Sequence, residues 1–271
     1  TLFHSRVIRL PPMFFRPAAT VTAQALVSLL FFKAVLREKV LFPHLRIWVL
    51  VPVKVWREIV RIGVPSAVQN LIYAGISMIL TRLITGWGDL AVAAQRVGSQ
   101  IESVSWMVGD GFSAAVNAFL GQNYGAKRYD RVRRGYFCAI AMTAAWGLCT
   151  TFLLIGMARP LFSIFLQEEE VMALGVNYLR IVGLSQMFMM VEQTSIGAFS
   201  GLGRTLYPSI VSVTFTSARI PVAVLLSSVM GLSGIWWALS ISSMVKGCIL
   251  FVSFVVFLYV FLERKKDEKT V

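Results

Sequence analysis

Long apolar segments separated by short charged ones dominate this chain. Seven of them reach the length of roughly 20 residues that a helix needs to cross a bilayer. They cover residues 16–35, 62–85, 91–120, 136–158, 172–200, 207–230 and 234–261. Because the apolar runs are continuous and show no alternation of polarity, the pattern predicts membrane-spanning helices and argues against a barrel.

Composition agrees with this pattern. The chain is 57% hydrophobic and only 14% charged, whereas soluble domains carry about 25% charged residues. We therefore expect an all-α polytopic membrane protein. The net charge of +13 would suggest nucleic acid in a soluble protein, but basic cytoplasmic loops explain it here, so no nucleic-acid partner is predicted.

Basic residues fall unequally on alternate connections. Residues 33–61, 123–134, 201–206 and 263–271 together carry seventeen Lys and Arg, whereas the intervening connections carry only Arg159. This asymmetry predicts that the four basic segments face the cytoplasm. Three arginines within residues 1–16 disagree with that orientation, so either 16–35 is not a true span or this N-terminal segment does not belong to the native protein.

Three acidic residues lie within apolar segments, namely Glu102, Asp110 and Glu192. A charged side chain there costs at least about 2.5–3.5 kcal/mol, so such residues face the bundle interior and are often functional. A buried carboxylate can exchange protons or coordinate Na⁺ together with nearby amides. The predicted ion-coupling residues are Glu192, Glu102, Asp110, Asn117 and Gln100, with Glu192 or Glu102 as the place for Na⁺.

The predicted cavity follows from helical spacing. Glu102, Trp106, Asp110 and Asn117 recur on one face of a helix and are expected to line a wet cavity. Met189 and Tyr73 complete the cavity-lining predictions. The alternative role for each acidic residue is a structural ion pair, for which Arg219 is one expected partner. The cations Arg219 and Lys246 are attributed to ion pairing or to snorkelling towards the membrane surface.

The sequence offers little support for enzymatic, cofactor or metal chemistry. His4 and His44 lie outside the apolar segments, and neither HExxH nor GxSxG occurs. An enzyme, a cofactor and a resident metal are therefore not expected. The three cysteines lie in apolar segments and are predicted to be small core residues.

Five ordered blocks resemble the multidrug and toxic compound extrusion (MATE) family. They are RIGVPSAVQN (61–70), AAQRVGSQIESVSWM (93–107), GFSAAVNAFLGQNYGAKRYDRV (111–132), GAFSGLGRT (197–205) and GIWWALS (234–240). The signature within the third block is predicted to be a loop that contains Gly121, Gln122, Asn123 and Gly125.

The resemblance implies twelve helices in two bundles of six, with a central cleft. Residues 17–36 would be the last helix of the first bundle and 62–262 the whole second bundle. Residues 37–61 would form a cytoplasmic amphipathic linker and 263–271 a cytoplasmic tail. It further implies a multi-pass antiporter in the plasma membrane of a bacterium, exporting organic cations and other xenobiotics in exchange for Na⁺ or H⁺.

The sequence departs from the family at two carboxylates. The glutamate of helix seven in one branch aligns with Tyr73, and the aspartate of the first helix in another branch has no counterpart. On this reading the chain is incomplete, and the first bundle would come from another chain or be replaced by a second copy. A lipid-linked saccharide flippase of related fold and a non-transporting membrane fragment remain alternatives.

Overall fold

The computed structural model describes residues 12–37, 52–166 and 168–262, and these residues form helices with no strand. The helices are α1 (Pro12–Arg37), α2 (Val53–Thr85), α3 (Asp89–Gly125), α4 (Tyr129–Gly156), α5 (Ala158–Ser163), α6 (Glu169–Gly183), α7 (Gln186–Gly201), α8 (Leu206–Ser217), α9 (Arg219–Met230) and α10 (Leu232–Phe257), which continues as a π-helical segment, Leu258–Leu262. The all-α fold predicted from the sequence is confirmed.

The chain divides into two units, Thr1–Val55 and Trp56–Val271. In the first unit, α1 carries exposed apolar side chains such as Val21 and Phe31, and it contains the predicted span 16–35. In the second unit, the remaining helices pack together as a bundle. The bundle contains the candidate site.

Within the part of the chain that the structure describes, four helical segments are long and apolar enough to cross a membrane: Val53–Thr85, Tyr129–Gly156, Leu206–Met230 and Leu232–Val260. The bent pair α6 and α7 supplies a fifth if it is counted as one span. Helix α3 contains the predicted span 91–120 and has 37 residues, about 55 Å at 1.5 Å per residue. It is not among the apolar spans because polar residues interrupt it.

Helix α2 begins well before the predicted start of its span at residue 62. No Gly or Pro lies between Pro52 and Gly63, so nothing in the sequence stops a helix from forming over these residues. Residues 53–61, expected to belong to an amphipathic linker, are therefore the first turns of α2. The rest of that linker, 38–51, lies outside the described residues, as do residues 1–11 and 263–271.

Two predicted spans are interrupted. The span 172–200 is the pair α6 and α7, bent by 50°. Thr151 donates to the carbonyl of Gly183 at 2.9 Å, and Ser185 donates to that of Val182 at 2.9 Å. The Thr151 hydroxyl thus satisfies a carbonyl at the end of α6, whereas the Val182 carbonyl also accepts the Ser185 backbone N–H at 3.1 Å. The span 207–230 breaks at Ala218, three residues before Pro221, whose missing N–H weakens the helix there.

Helices α3 and α7 approach closely through glycines. Gly197 lies directly against the carbonyl of Ser113, and Gly201 lies against that of Asn117, so neither position has space for a Cβ atom. These two glycines, four residues apart, form a GxxxG step that marks a helix contact. It holds α7 in a fixed position beside α3.

Two basic connections, the α3–α4 turn and the α7–α8 connection, meet at one end of the bundle. Gly121 packs against the carbonyl of Gly201, and Arg133 donates to the Tyr259 hydroxyl at 2.9 Å. These contacts bring together the α3–α4 turn, the α7–α8 connection and the end of α10. At the opposite end, Asn177 donates to Ser233 at 2.7 Å. The basic α3–α4 turn and α7–α8 connection therefore share one end of the bundle, and their cytoplasmic position stays a prediction.

The prediction that the signature segment is a loop is wrong, because the structure places it in a helix. Gly121, Gln122, Asn123 and Gly125 form the last turns of α3, which joins α4 through Ala126–Arg128 alone. The buried Asn123 side chain donates to the carbonyl of Phe119 at 2.7 Å, and the contact with α7 continues to the helix end. These interactions stabilise the helix where the charged sequence suggested a loop.

The prediction that the three cysteines are core residues is also wrong. Cys138, Cys149 and Cys248 are exposed on the bundle surface. In a membrane the outer surface is as apolar as the core, because lipid surrounds it. Apolar sequence context therefore does not distinguish the two locations.

Candidate transport site

A polar cavity of about 390 Å³ lies inside the bundle and is lined from α2, α3 and α6 to α10. Three acidic and two basic side chains reach it. The charged lining residues are Glu102, Asp110, Glu192, Arg219 and Lys246. Because charge within a membrane is costly unless it is compensated, the partner of each group decides what it can do.

The Glu102 side chain is buried. Among the described residues, all of its hydrogen-bond partners are neutral. Its Oε1 accepts from Gln186 Nε2 at 2.8 Å and from Trp106 Nε1 at 3.2 Å, and its Oε2 accepts from the Tyr178 hydroxyl at 3.1 Å. The Tyr178 hydroxyl also bonds with Ser99 Oγ at 3.1 Å. The carboxylate is therefore held by hydrogen bonds and keeps its charge uncompensated by an ion pair.

Glu192 has a different environment. Lys246 Nζ lies 2.8 Å from its Oε1, and both side chains are over nine-tenths buried. Gly247, next to the lysine, packs directly against the carbonyl of Phe188 on α7. This close backbone approach brings the ammonium group to the carboxylate. Glu192 and Lys246 thus neutralise each other.

Arg219 does not pair with an acid, contrary to the sequence-based expectation. It lies at the start of α9 with 7% of its surface exposed. Its Nε donates to Ser242 Oγ at 3.1 Å and its Nη2 to Ser243 Oγ at 2.9 Å, both on α10. The described residues place Lys246, and not Arg219, beside Glu192.

Asp110 lines the cavity at an exposed position and accepts a hydrogen bond from Gln193 Nε2 at 3.3 Å. Of the remaining predicted residues, Trp106, Met189 and Tyr73 also line the cavity. Gln100 and Asn117 are exposed and do not line it. The predicted polar stripe therefore ends at Asp110.

Sequence reasoning missed two neighbours of Glu102. Tyr178 and Gln186 are buried on α6 and α7, and nothing in the sequence distinguishes them from packing residues. Lys246 is attributed from the sequence to ion pairing or snorkelling, and its ion pair with Glu192 confirms the first of these. Its place in the cavity lining was not predicted.

The donor chemistry around both acids differs from that of a Na⁺ cage. Hard cations prefer several oxygen ligands, whereas the Trp106 indole can only donate an N–H. Glu192 already binds an ammonium group. Within the described ranges, no group of three His, Cys, Asp or Glu side chains is placed to hold a metal ion.

Comparison with known proteins connects this chain to a family. The sequence model described as MatE matches residues 65–225. The chain is 28% identical to "Probable multidrug resistance protein NorM" of Thermotoga maritima, over 66% of this chain and 39% of that protein. It is 24% identical to "Multidrug and toxin extrusion protein 1" of Oryctolagus cuniculus, over 88% of this chain and 42% of that protein.

Solved structures share the fold. One titled "Outward-facing conformation of a multidrug resistance MATE family transporter of the MOP superfamily" superposes with a TM-score of 0.74 at 18% identity, covering 82% of this chain and 50% of that one. The Vibrio cholerae MATE transporter VcmN in the bent form gives 0.66 at 21% identity, over 74% of this chain and 46% of that one. The chain spans about two fifths of the curated relatives and about half of these structures.

Proposed function

Because this chain belongs to the MatE family, we propose that it forms half of the pathway of a cation-coupled antiporter that exports organic cations and other xenobiotics. The carrying observation is Glu102, a buried carboxylate in a polar cavity whose hydrogen-bond partners among the described residues are all neutral, with Arg219 acting on it only at longer range. Such a group attracts a cation from either side of the membrane, and that is the chemistry antiport requires.

The hydrogen bonds of Glu102 favour H⁺ as the coupling ion over Na⁺. A hydroxyl both donates and accepts. When Oε2 takes up a proton, the Tyr178 hydroxyl can turn to accept it and donate to Ser99 Oγ, 3.1 Å away. Both protonation states of Glu102 then keep their hydrogen bonds. The network therefore suits proton uptake and release.

Exchange follows from competition at one carboxylate. An organic cation binds the ionised form, and a proton abolishes that attraction, so the two ligands exclude one another. If each ligand favours a different orientation of the cavity, binding of one shifts the protein towards release of the other. Alternating access of this kind is usual in transporters built from two related halves.

The rest of the pathway would come from another bundle. This could be the first bundle on a separate or longer chain, or a second copy of the chain itself. The plasma membrane of a bacterium is the proposed location, since helices long and apolar enough to cross a membrane occur among the described residues and bacterial multidrug proteins are among its relatives.

A lipid-linked saccharide flippase fits the cavity less well. A large anionic substrate favours a mainly basic lining, whereas three acidic side chains face two basic ones here. The Lys246 charge is moreover already compensated by Glu192. The cavity therefore favours cationic ligands.

Efflux of ethidium tests the proposal. The chain and its Glu102→Gln variant would be expressed in bacteria stripped of their own drug pumps, with Glu169→Gln as the control. Glu169 is an exposed glutamate outside the cavity. We expect Glu102→Gln to abolish proton-driven efflux and Glu169→Gln to preserve it.

Binding of ethidium to the purified chain gives a second readout that does not need a complete pathway. Weaker binding to Glu102→Gln alone supports the site. Equal binding and equal efflux by both variants would remove Glu102 from the mechanism. Membrane insertion with neither binding nor efflux would favour a non-transporting fragment.

A further inference from the structure

We infer that a groove between α2 and the start of α8 binds an anionic phospholipid, with Arg61 and Arg204 on its phosphate group and apolar side chains of α8 along its acyl chains. The groove has a volume of about 940 Å³ and shares no lining residue with the central cavity. Its wall includes Pro65 of α2 and Leu206 and Ile210 of α8. The inference goes beyond the proposed function and does not depend on transport.

The first argument is the gap between the two helices. The second half of α2 packs in an apolar core with α9 and α10 through Ile76, Leu80 and Ile84. Its first half is less covered, since Val60 is 50% exposed and Val64 49%. Apolar side chains of a membrane helix are covered by protein or by lipid tails, which are equally apolar. The described residues therefore leave space here for an apolar group.

The second argument is charge. Arg61 and Arg204 line the groove, and no acidic residue does so within the described part of the chain. The Arg204 guanidinium lies over the Phe257 ring, 4.6 Å from its centroid. Stacking engages the face of a guanidinium, whereas a phosphate binds at its N–H edge, so the two contacts are compatible. A pair of arginines in a groove without acidic residues suits a phosphate group.

The third argument is depth in the membrane. The spans Val53–Thr85 and Leu206–Met230 have 33 and 25 residues, and a hydrocarbon core takes up roughly 20 residues of helix. Counted from their far ends, about 13 residues of the first span and about 5 of the second extend beyond the core on the basic side. Arg61 then lies about 6 Å outside the hydrocarbon, at the depth of the headgroups. Arg204 precedes its span, and Ile210 lies at the hydrocarbon edge.

The fourth argument distinguishes a lipid from a soluble anion. The groove wall on α8 is formed by Leu206, Tyr207 and Ile210, which are 62%, 43% and 55% exposed. A free phosphate ion gains nothing from such a surface, whereas the acyl chains of a lipid bury it. Basic pockets between helices on the cytoplasmic side bind anionic headgroups, and this groove adjoins the basic α7–α8 connection.

Native mass spectrometry of the purified chain in a non-ionic detergent tests this inference, because it counts the lipid molecules that each chain retains. Phosphatidylglycerol is anionic, and phosphatidylcholine with the same acyl chains has no net charge. Both lipids would be titrated against the parent chain, Arg61→Gln, Arg61→Lys and the control Arg134→Gln. Arg134 is exposed near the start of α4, at the same basic end, and does not line the groove.

We expect the parent chain to retain phosphatidylglycerol more tightly than phosphatidylcholine. Arg61→Gln should weaken binding of phosphatidylglycerol about fivefold, as for one basic residue beside an anionic lipid, and leave phosphatidylcholine unchanged. Arg61→Lys should keep most of the affinity, because a phosphate also accepts a point charge. Arg134→Gln should match the parent chain for both lipids.

The inference is overturned by equal retention of both lipids in the parent chain or by unchanged retention of phosphatidylglycerol in Arg61→Gln. An equal loss in Arg134→Gln would replace the groove with a diffuse attraction to the basic end. Displacement of the lipid by inorganic phosphate, but not by chloride at the same ionic strength, would make the groove a site for the ion alone. A dimer that excludes lipid would assign the groove to a second copy of the chain. None of these outcomes affects ethidium binding at Glu102, so the two proposals fail separately.

Discussion

Lys246 and Glu192 form a buried ion pair with 2.8 Å between Nζ and Oε1, although 54 residues separate them in the sequence. Removing one partner of such a pair strands a charge in a low-dielectric interior, which typically costs about 3–5 kcal/mol. We expect Glu192→Gln and Lys246→Met each to lower the free energy of unfolding by about that amount. The double variant should lose clearly less, because no charge is stranded. Denaturant unfolding in detergent measures all three, and additive losses would contradict the pairing.

The ion pair between Arg159 and Glu169 provides the contrast. Its atoms are 2.9 Å apart, but the side chains are 68% and 76% exposed. Solvent screens such a pair, so Arg159→Ala should lower the free energy of unfolding by less than about 1 kcal/mol. The same unfolding experiment checks it. A loss as large as that of Lys246→Met would mean that burial does not set the difference.

Close packing of α3 on α7 predicts that Gly197 cannot be replaced. A Cβ atom there would overlap the carbonyl of Ser113, and overpacking of this kind costs about 1–3 kcal/mol. Gly197→Ala should therefore be destabilising. Gly111→Ala, on α3 and with nothing within 4 Å of the added methyl, should be neutral or stabilising. Thermal unfolding compares the two, and an equal effect would refute the contact.

The Tyr178 hydroxyl is predicted to matter for coupling. In Tyr178→Phe, Oε2 of Glu102 loses its donor and Ser99 loses its partner. We expect proton-driven ethidium efflux to fall about tenfold, the value of one hydrogen bond to a charged group. Tyr136→Phe is a matched control, because that buried hydroxyl bonds with Ser195 outside the cavity. Similar efflux in both variants would show that Tyr178 has only a packing role.

Sidedness can be measured by cysteine labelling. Lys127 lies in the α3–α4 turn and Ser233 at the opposite end of the bundle. If the basic end faces the cytoplasm, a membrane-impermeant thiol reagent should label Ser233→Cys in intact cells and Lys127→Cys only in inverted vesicles. The parent chain gives the background of its three cysteines. The reverse pattern would overturn the orientation.

Much of the fold and part of the site follow from the sequence. Continuous apolar segments predict the helices, and the cost of charge in a membrane correctly identifies Glu102 and Glu192 as interior residues. Periodicity alone could not detect the bend between α6 and α7, because a contact made there, from Thr151 on α4 to the Gly183 carbonyl, joins two different helices. Pairing could not be predicted either, since Arg219 and Lys246 are equally plausible partners until the helices pack.

Glycine at position 247 has a consequence for how variants of this protein will be interpreted. Its contact with the Phe188 carbonyl fixes the separation of α10 and α7. That separation in turn sets the distance that the Lys246 ammonium must span to reach the Glu192 carboxylate. A larger residue at 247 would push the helices apart and strand both charges. Such a variant would show the phenotype of a lost ion pair while its charged residues remain intact, so a genetic screen would assign to electrostatics a defect that begins in backbone spacing.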